Sequence, residues 1–121
     1  MNDFNSILAR LMAVIEDRKQ NPSEKSYTTS LLRGGIDKIG EKISEEAAEV
    51  VAAAAEPGDP GRAHTILEAA DLLYHLFVLL GYRDIRLAEV EAELARRFGI
   101  SGLDEKASRA TKPADKAPES P

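Results

Sequence analysis

The 121-residue sequence contains no cysteine and no tryptophan, and only 5% of it is aromatic, so any core must be built from aliphatic side chains. Without a thiol there is no disulfide framework, no cysteine nucleophile and no thiolate-bound zinc or iron–sulfur centre. Basic charge is in deficit: 16 Lys and Arg face 21 Asp and Glu, for a net charge of −5. That balance excludes a nucleic-acid binder that works by general phosphate neutralisation. No uninterrupted apolar run reaches roughly 18 residues, the length a bilayer-spanning helix needs. Met1-Asn2-Asp3-Phe4 also lacks the basic start and apolar stretch of a signal peptide. The expectation is a cytoplasmic protein with no membrane and no nucleic-acid partner.

Proline is scarce until the end, where Pro113, Pro118 and Pro121 stand among Lys, Asp, Glu, Ser and Ala and no apolar period survives. Residues 99–121 are therefore expected to be a disordered tail behind a domain of residues 1–98. Within that domain the apolar residues recur at helical spacing. Phe4, Ile7, Leu8, Leu11 and Ile15 predict a helix over about residues 4–19, closed by Asn21-Pro22. A short segment at Thr28–Arg33 is stopped by Gly34-Gly35. Ile36, Ile39, Ile43, Ala47, Val50 and Ala54 then mark the core stripe of a long helix ending at Glu56-Pro57-Gly58. Asp59 as cap and Pro60 at the first position open another helix, closed by Gly81. Its second half, Leu72 to Leu80, is apolar almost all round and needs covering on every side. A last helix over residues 87–97 turns Leu87, Val90 and Leu94 inward. No strand signal competes. The fold class is all-α, an antiparallel helical hairpin or bundle completed by dimerisation into a homodimer or higher homo-oligomer.

On a helical wheel the stripe of Ile36, Ile43, Ala47, Val50 and Ala54 is bordered by Glu46 and Glu49, which stand one turn apart on the same side of it. Glu45 falls further out. On the next helix Glu68 and Asp71 again stand one turn apart on a common stripe. Two helices joined by the short Pro57–Gly61 turn run antiparallel, and the two pairs stand at matched heights from it. Glu46-x-x-Glu49 and Glu68-x-x-Asp71 can thus converge. Four carboxylates meeting at one point repel each other unless a hard divalent cation neutralises them. Lys42 and Lys38 project along the same stripe and Arg33 stands near its mouth, so all three are candidate phosphate contacts. His64 and His75 share the stripe of Glu68 and Asp71. Neither follows a glutamate by three residues as a di-iron bundle requires, so His75 is expected in the core with its ring nitrogen satisfied and His64 at the surface.

The stretch Ser26-Tyr27-Thr28, Leu31-Leu32, Gly35-Ile36-Asp37-Lys38-Ile39, Glu45-Glu46-Ala47, Glu49-Val50-Val51 and Glu68-Ala69-Ala70-Asp71-Leu72-Leu73-Tyr74-His75-Leu76 closely resembles the phosphoribosyl-ATP pyrophosphohydrolases of histidine biosynthesis. The likeness runs over about residues 4–98. That family belongs to the all-α nucleotide pyrophosphohydrolases, whose E-x-x-E and E-x-x-D pairs bind magnesium. The resemblance implies that Glu46, Glu49, Glu68 and Asp71 hold Mg2+, with Glu46 and Glu49 as catalytic carboxylates and Glu45 as an outer supporting residue or stand-in ligand. It implies Tyr27 and Thr28 as substrate-site residues beside Lys38, Lys42 and Arg33. The reaction implied is hydrolysis of phosphoribosyl-ATP to phosphoribosyl-AMP and pyrophosphate, in a dimer. Two other readings stay open: the same chemistry on another nucleotide, as in house-cleaning pyrophosphohydrolases, and a non-catalytic interaction module whose acids are solvated surface.

Overall fold

The computed structural model describes residues 6–98 and, among them, four α-helices and no strand. Phe4 and the expected tail at 99–121 lie outside the described residues. Helix α1 spans Ile7–Gln20 and is capped by Ser6, whose hydroxyl accepts from the Ala9 amide at 3.1 Å. Helix α2 spans Tyr27–Ala54, with the Ser26 hydroxyl accepting from the Thr29 amide at 3.0 Å. The break expected at Gly34-Gly35 is a kink inside this element: Gly35 sits at φ 76°, ψ −168°, a conformation essentially reserved for glycine. The short N-terminal limb thereby turns back toward the next helix.

Helix α3 spans Gly58–Tyr82 and departs from expectation at both ends. Pro57 is the cap residue and makes no side-chain bond, so Asp59 lies in the first turn without capping it. Gly81 does not end the helix but is buried within it, where a Cβ would come within 2.8 Å of Ile15 Cγ2. Beyond the end of the helix Asp84 takes a left-handed backbone conformation, at φ 60°. Lys19 of α1 covers this end, donating from Nζ to the carbonyls of Gly81 at 3.0 Å and Tyr82 at 2.9 Å and to Asp84 Oδ1 at 2.7 Å.

Helices α2 and α3 form the antiparallel hairpin, with α1 packed on α3 and, less extensively, on α2. The seam between α2 and α3 shares Ile39 with the stripe the periodicity marks but otherwise departs from it. On α2 it runs through Ile39, Glu46 and Ala53, seven residues apart, and on α3 through Gly61, Glu68 and His75, again seven apart. Seven-residue steps keep one face on an adjacent helix. Ile39, Ala53 and Val78 are fully buried, as is Ile15 of α1. The expected core residues Ile36, Ala47 and Ala54 are exposed in the single chain, as is Leu73 on α3. The reason is that each long helix carries two apolar faces: the hairpin covers one, and the stronger periodic signal belongs to the other.

By length and average hydropathy α3 could span a bilayer, yet its most apolar 18-residue window is only 22% buried in the single chain. Glu68 and Asp71 interrupt the apolar character of α3, and an acidic residue at mid-membrane costs about 2.5–3.5 kcal/mol. Helix α4, Leu87–Phe98, belongs to a second compact unit and buries no residue within the described chain; Leu94, expected inward, is exposed. Its Glu93 receives Arg96 and Arg97, whose hydrogen bonds hold that carboxyl down to about 2.

Candidate active site

At mid-height of the hairpin the seam positions become acidic. One carboxylate oxygen from each of Glu46, Glu68 and Asp71 lies within 4.8 Å of the others. Glu49, one turn from Glu46 and exposed, stands beside this group, near enough for Glu68 to raise its pKa. The helical spacing of each pair and the antiparallel register together produce this meeting: i and i+3 share a face, and the tight turn fixes the heights. Gly61 permits that turn, since a Cβ there would collide with the Glu56 carbonyl.

The acids do not ionise independently. Glu46 is pushed up from 4.5 to about 7, first by burial, then by hydrogen bonding to Glu68 and by the charges of Glu49, Asp71 and Glu68. Glu49 is raised as well, by its hydrogen bond to Glu68 and then by the charge there. Burial alone pushes Glu68 up, but hydrogen bonds from Glu49, Glu46 and His64 outweigh it and hold this carboxyl below its usual range. Glu68 thus ionises more readily than Glu46 and Glu49.

Two atoms of this cluster, Glu46 Oε1 and Glu68 Oε1, are buried without any hydrogen-bond partner. A buried acceptor left unpaired costs about 1–3 kcal/mol, more when charged. The donor set around these atoms is entirely carboxylate oxygen, the set that suits a hard divalent cation rather than a soft one. The residues therefore fit such an ion on two grounds, the chemistry of the donors and the two acceptors facing inward with nothing to accept.

The remaining candidates are distributed along α2 and around its kink. Glu45 is outside the converging group and faces Lys42, Nζ to Oε1 at 3.8 Å. Lys38 is exposed and folds its aliphatic stem over Gly34. Arg33 pairs with Glu24 at 3.2 Å and lines a small cavity with Arg18, Thr29, Leu32 and Tyr82. Tyr27 is half exposed, stacks on Tyr74 with ring centroids 6.2 Å apart, and shares a hydrogen bond with His75 Nε2 at 3.2 Å. Thr28 is buried and bonded to the Tyr74 hydroxyl.

His75 is buried, with Nδ1 bonded to the Asp71 carbonyl at 3.0 Å, as a core histidine should be. The resembling strings Ser26-Tyr27-Thr28 and Tyr74-His75 are thus two halves of one contact that closes the hairpin one turn from Asp71. His64 is at the surface as expected, yet it touches Glu68, Nε2 to Oε2 at 3.0 Å. The sequence reading did not give it a part in the site, although the four-residue spacing from His64 to Glu68 was the available signal.

A helical hairpin that brings an E-x-x-E pair on one helix to an E-x-x-D pair on the other defines a protein of the all-α pyrophosphohydrolase class. Residues 8–98 match the family model described as phosphoribosyl-ATP pyrophosphohydrolase. Among curated relatives, the phosphoribosyl-ATP pyrophosphatase of Rhodopirellula baltica is 55% identical over 105 residues, covering 87% of this chain and 88% of that protein. Those of Geotalea daltonii and Pelobacter propionicus are 54% and 49% identical, covering 90% and 92% of this chain and 98% and 100% of theirs. The chain belongs to the phosphoribosyl-ATP pyrophosphohydrolase family.

Proposed function

We propose that this protein hydrolyses 1-(5-phosphoribosyl)-ATP to 1-(5-phosphoribosyl)-AMP and pyrophosphate, in the cytoplasm, through the domain of residues 1–98. The observation that carries the chemistry is the convergence of Glu46, Glu68 and Asp71 with two inward-facing, unpartnered oxygens. The substrate rests on the family and on relatives that carry the activity in their names. Glu46, Glu49, Glu68 and Asp71 are the residues that would hold Mg2+. When bound, the ion neutralises the phosphoryl oxygens and the departing pyrophosphate.

The chain's own groups manage the proton. Water adds at phosphorus of the α/β phosphoanhydride, the bridging P–O bond breaks, and its electron pair leaves with the departing phosphate group. The proton released by the water passes to Glu46 or Glu49 in its ionised form, and the upward shift of both makes each a readier acceptor than an ordinary carboxylate. Glu68, held ionised, keeps the charge of the cluster fixed. Lys38 and Lys42, on the same limb of α2, supply positive charge to the phosphates, while Arg33 and Tyr27 stand at the kinked end for the remainder of the substrate. Glu45 keeps Lys42 oriented.

We also propose that the active form is a homodimer. Val51, Leu67 and Ile66 are 71%, 58% and 56% exposed, and they continue the uncovered apolar face of α2 and α3. Large contiguous apolar faces on single chains mark association surfaces.

The test is pyrophosphate release from phosphoribosyl-ATP, beside ATP and deoxynucleoside triphosphates, with and without magnesium, for the parent protein and Glu49→Gln. The expected result is magnesium-dependent release from phosphoribosyl-ATP alone, reduced about 100-fold or more in the variant. Equal release from ordinary nucleotides overturns the substrate. Release that needs no metal overturns the site.

A further inference from the structure

His64 sits between two carboxylates of different kinds. Its Nδ1 is 3.1 Å from both oxygens of Glu56, in the turn after α2, and its Nε2 is 3.0 Å from Glu68 Oε2. Glu56 is outside the acidic cluster and half exposed, whereas the Glu68 side chain is only 12% exposed. The two oxygens of Glu68 are therefore distinguished. Oε2 is tied to the imidazole, and Oε1 is the buried atom without a partner, in a residue whose carboxylate lies within 4.8 Å of those of Glu46 and Asp71.

A glutamate side chain has three rotatable bonds, and ordering it at the moment a ligand arrives carries an entropic cost. A bond that already holds the side chain lowers that cost, which is the physical content of preorganisation. A ring with only two torsions, held at its far nitrogen by Glu56, is a stiff brace for this purpose. Both ring nitrogens are engaged by carboxylates, and the contact of the ring with a candidate ligand is direct.

We infer that His64, braced by Glu56, is a positioning residue that fixes Glu68 with Oε1 turned into the metal-binding cluster. The inference rests on the four-carboxylate reading under Proposed function. It assigns a task to a side chain whose only other visible use is an ion pair on a surface, where such pairs contribute little.

The experiment is calorimetric titration of Mn2+ alone into the full chain, for the parent and for His64→Ala, His64→Gln, Glu56→Ala and Glu68→Gln, with helicity checked by circular dichroism. Outer hydrogen-bonding partners of metal ligands are worth about 10–100-fold in affinity. His64→Ala is expected to weaken Mn2+ binding about tenfold, at the lower end of that range, because the ring is partly exposed. His64→Gln, whose amide nitrogen reaches the place of Nε2, restores most of the affinity, and Glu56→Ala falls between. Phosphoribosyl-ATP hydrolysis by His64→Ala drops at limiting magnesium and returns toward the parent rate at saturating magnesium. Unchanged Mn2+ binding in His64→Ala, alongside its loss in Glu68→Gln, overturns the inference alone. Unchanged binding in Glu68→Gln overturns the four-carboxylate reading beneath it. A His64→Ala defect that neither glutamine nor saturating magnesium relieves assigns the residue a merely structural role and also overturns the inference.

Discussion

Glu46 keeps a proton up to about pH 7 because it is shielded from water and surrounded by Glu49, Glu68 and Asp71. The unfolded chain loses that proton near the ordinary value of 4.5. Between the two values the folded, metal-free protein binds more protons than the unfolded one, so its stability falls as pH rises across this window. The upward shifts of Glu49 and His64 act in the same direction, while the lowered Glu68 acts only below its ordinary value. The thermal midpoint of chelator-treated protein is expected to be higher at about pH 5 than at about pH 8, by scanning calorimetry. Magnesium reverses the order, because it binds only the ionised carboxylates and binds the folded state. A metal-free midpoint that climbs with pH contradicts the coupled cluster. At this scale the clustering was legible in advance: helical spacing alone selected Glu46, Glu68 and Asp71, which the hairpin brings together, and Glu49 one turn from Glu46. Their protonation was not, since it depends on burial and on cross-helix neighbours.

At the scale of elements, the kink in α2 decides which residues stand near the carboxylates. A straight helix would carry Tyr27 and Thr28 away along its axis, whereas the turn at Gly35 brings them onto Tyr74 and His75. Gly35→Ala places a side chain in a conformation that costs about 1–3 kcal/mol. The expected outcome is a midpoint lower by about 4–8 °C per kcal/mol, with a raised KM for phosphoribosyl-ATP as Tyr27 shifts, measured by thermal melts and steady-state kinetics. A variant with parent stability and KM removes the kink from any part in the site. The two adjacent glycines announced a break in the sequence. Its consequence, a limb folded back rather than a separate helix, followed from packing between positions far apart in the chain.

For the whole molecule, the uncovered face of α2 and α3 is the dominant feature. The second half of the 25-residue α3 is apolar on nearly every side, and among the described residues the hairpin with α1 covers only part of the helix. Leu67→Glu places a charge in the middle of that face. It is expected to sediment as a single chain at concentrations where the parent sediments as a pair, with little loss of helicity, since Leu67 is exposed within the chain. A parent protein that sediments as a single chain at high concentration removes the dimer. Because the apolar stripe through Ile36, Ala47 and Ala54 is the more regular one, periodicity alone assigned it to the core of one chain.

The helices, the turn that makes α2 and α3 antiparallel and the matched heights of Glu46, Glu68 and Asp71 were all readable from the chain alone, because they depend on spacing of three and four residues and on local turn chemistry. Only the tertiary structure decided which face of each helix lies inward, because a helix with two apolar faces offers two ways to bury one. It also decided that Glu46 and Glu68 sit in the seam itself, that each leaves one oxygen without a partner, and that His64 reaches Glu68 from outside. Those outcomes follow from one helix lying against another, which no single-helix pattern contains.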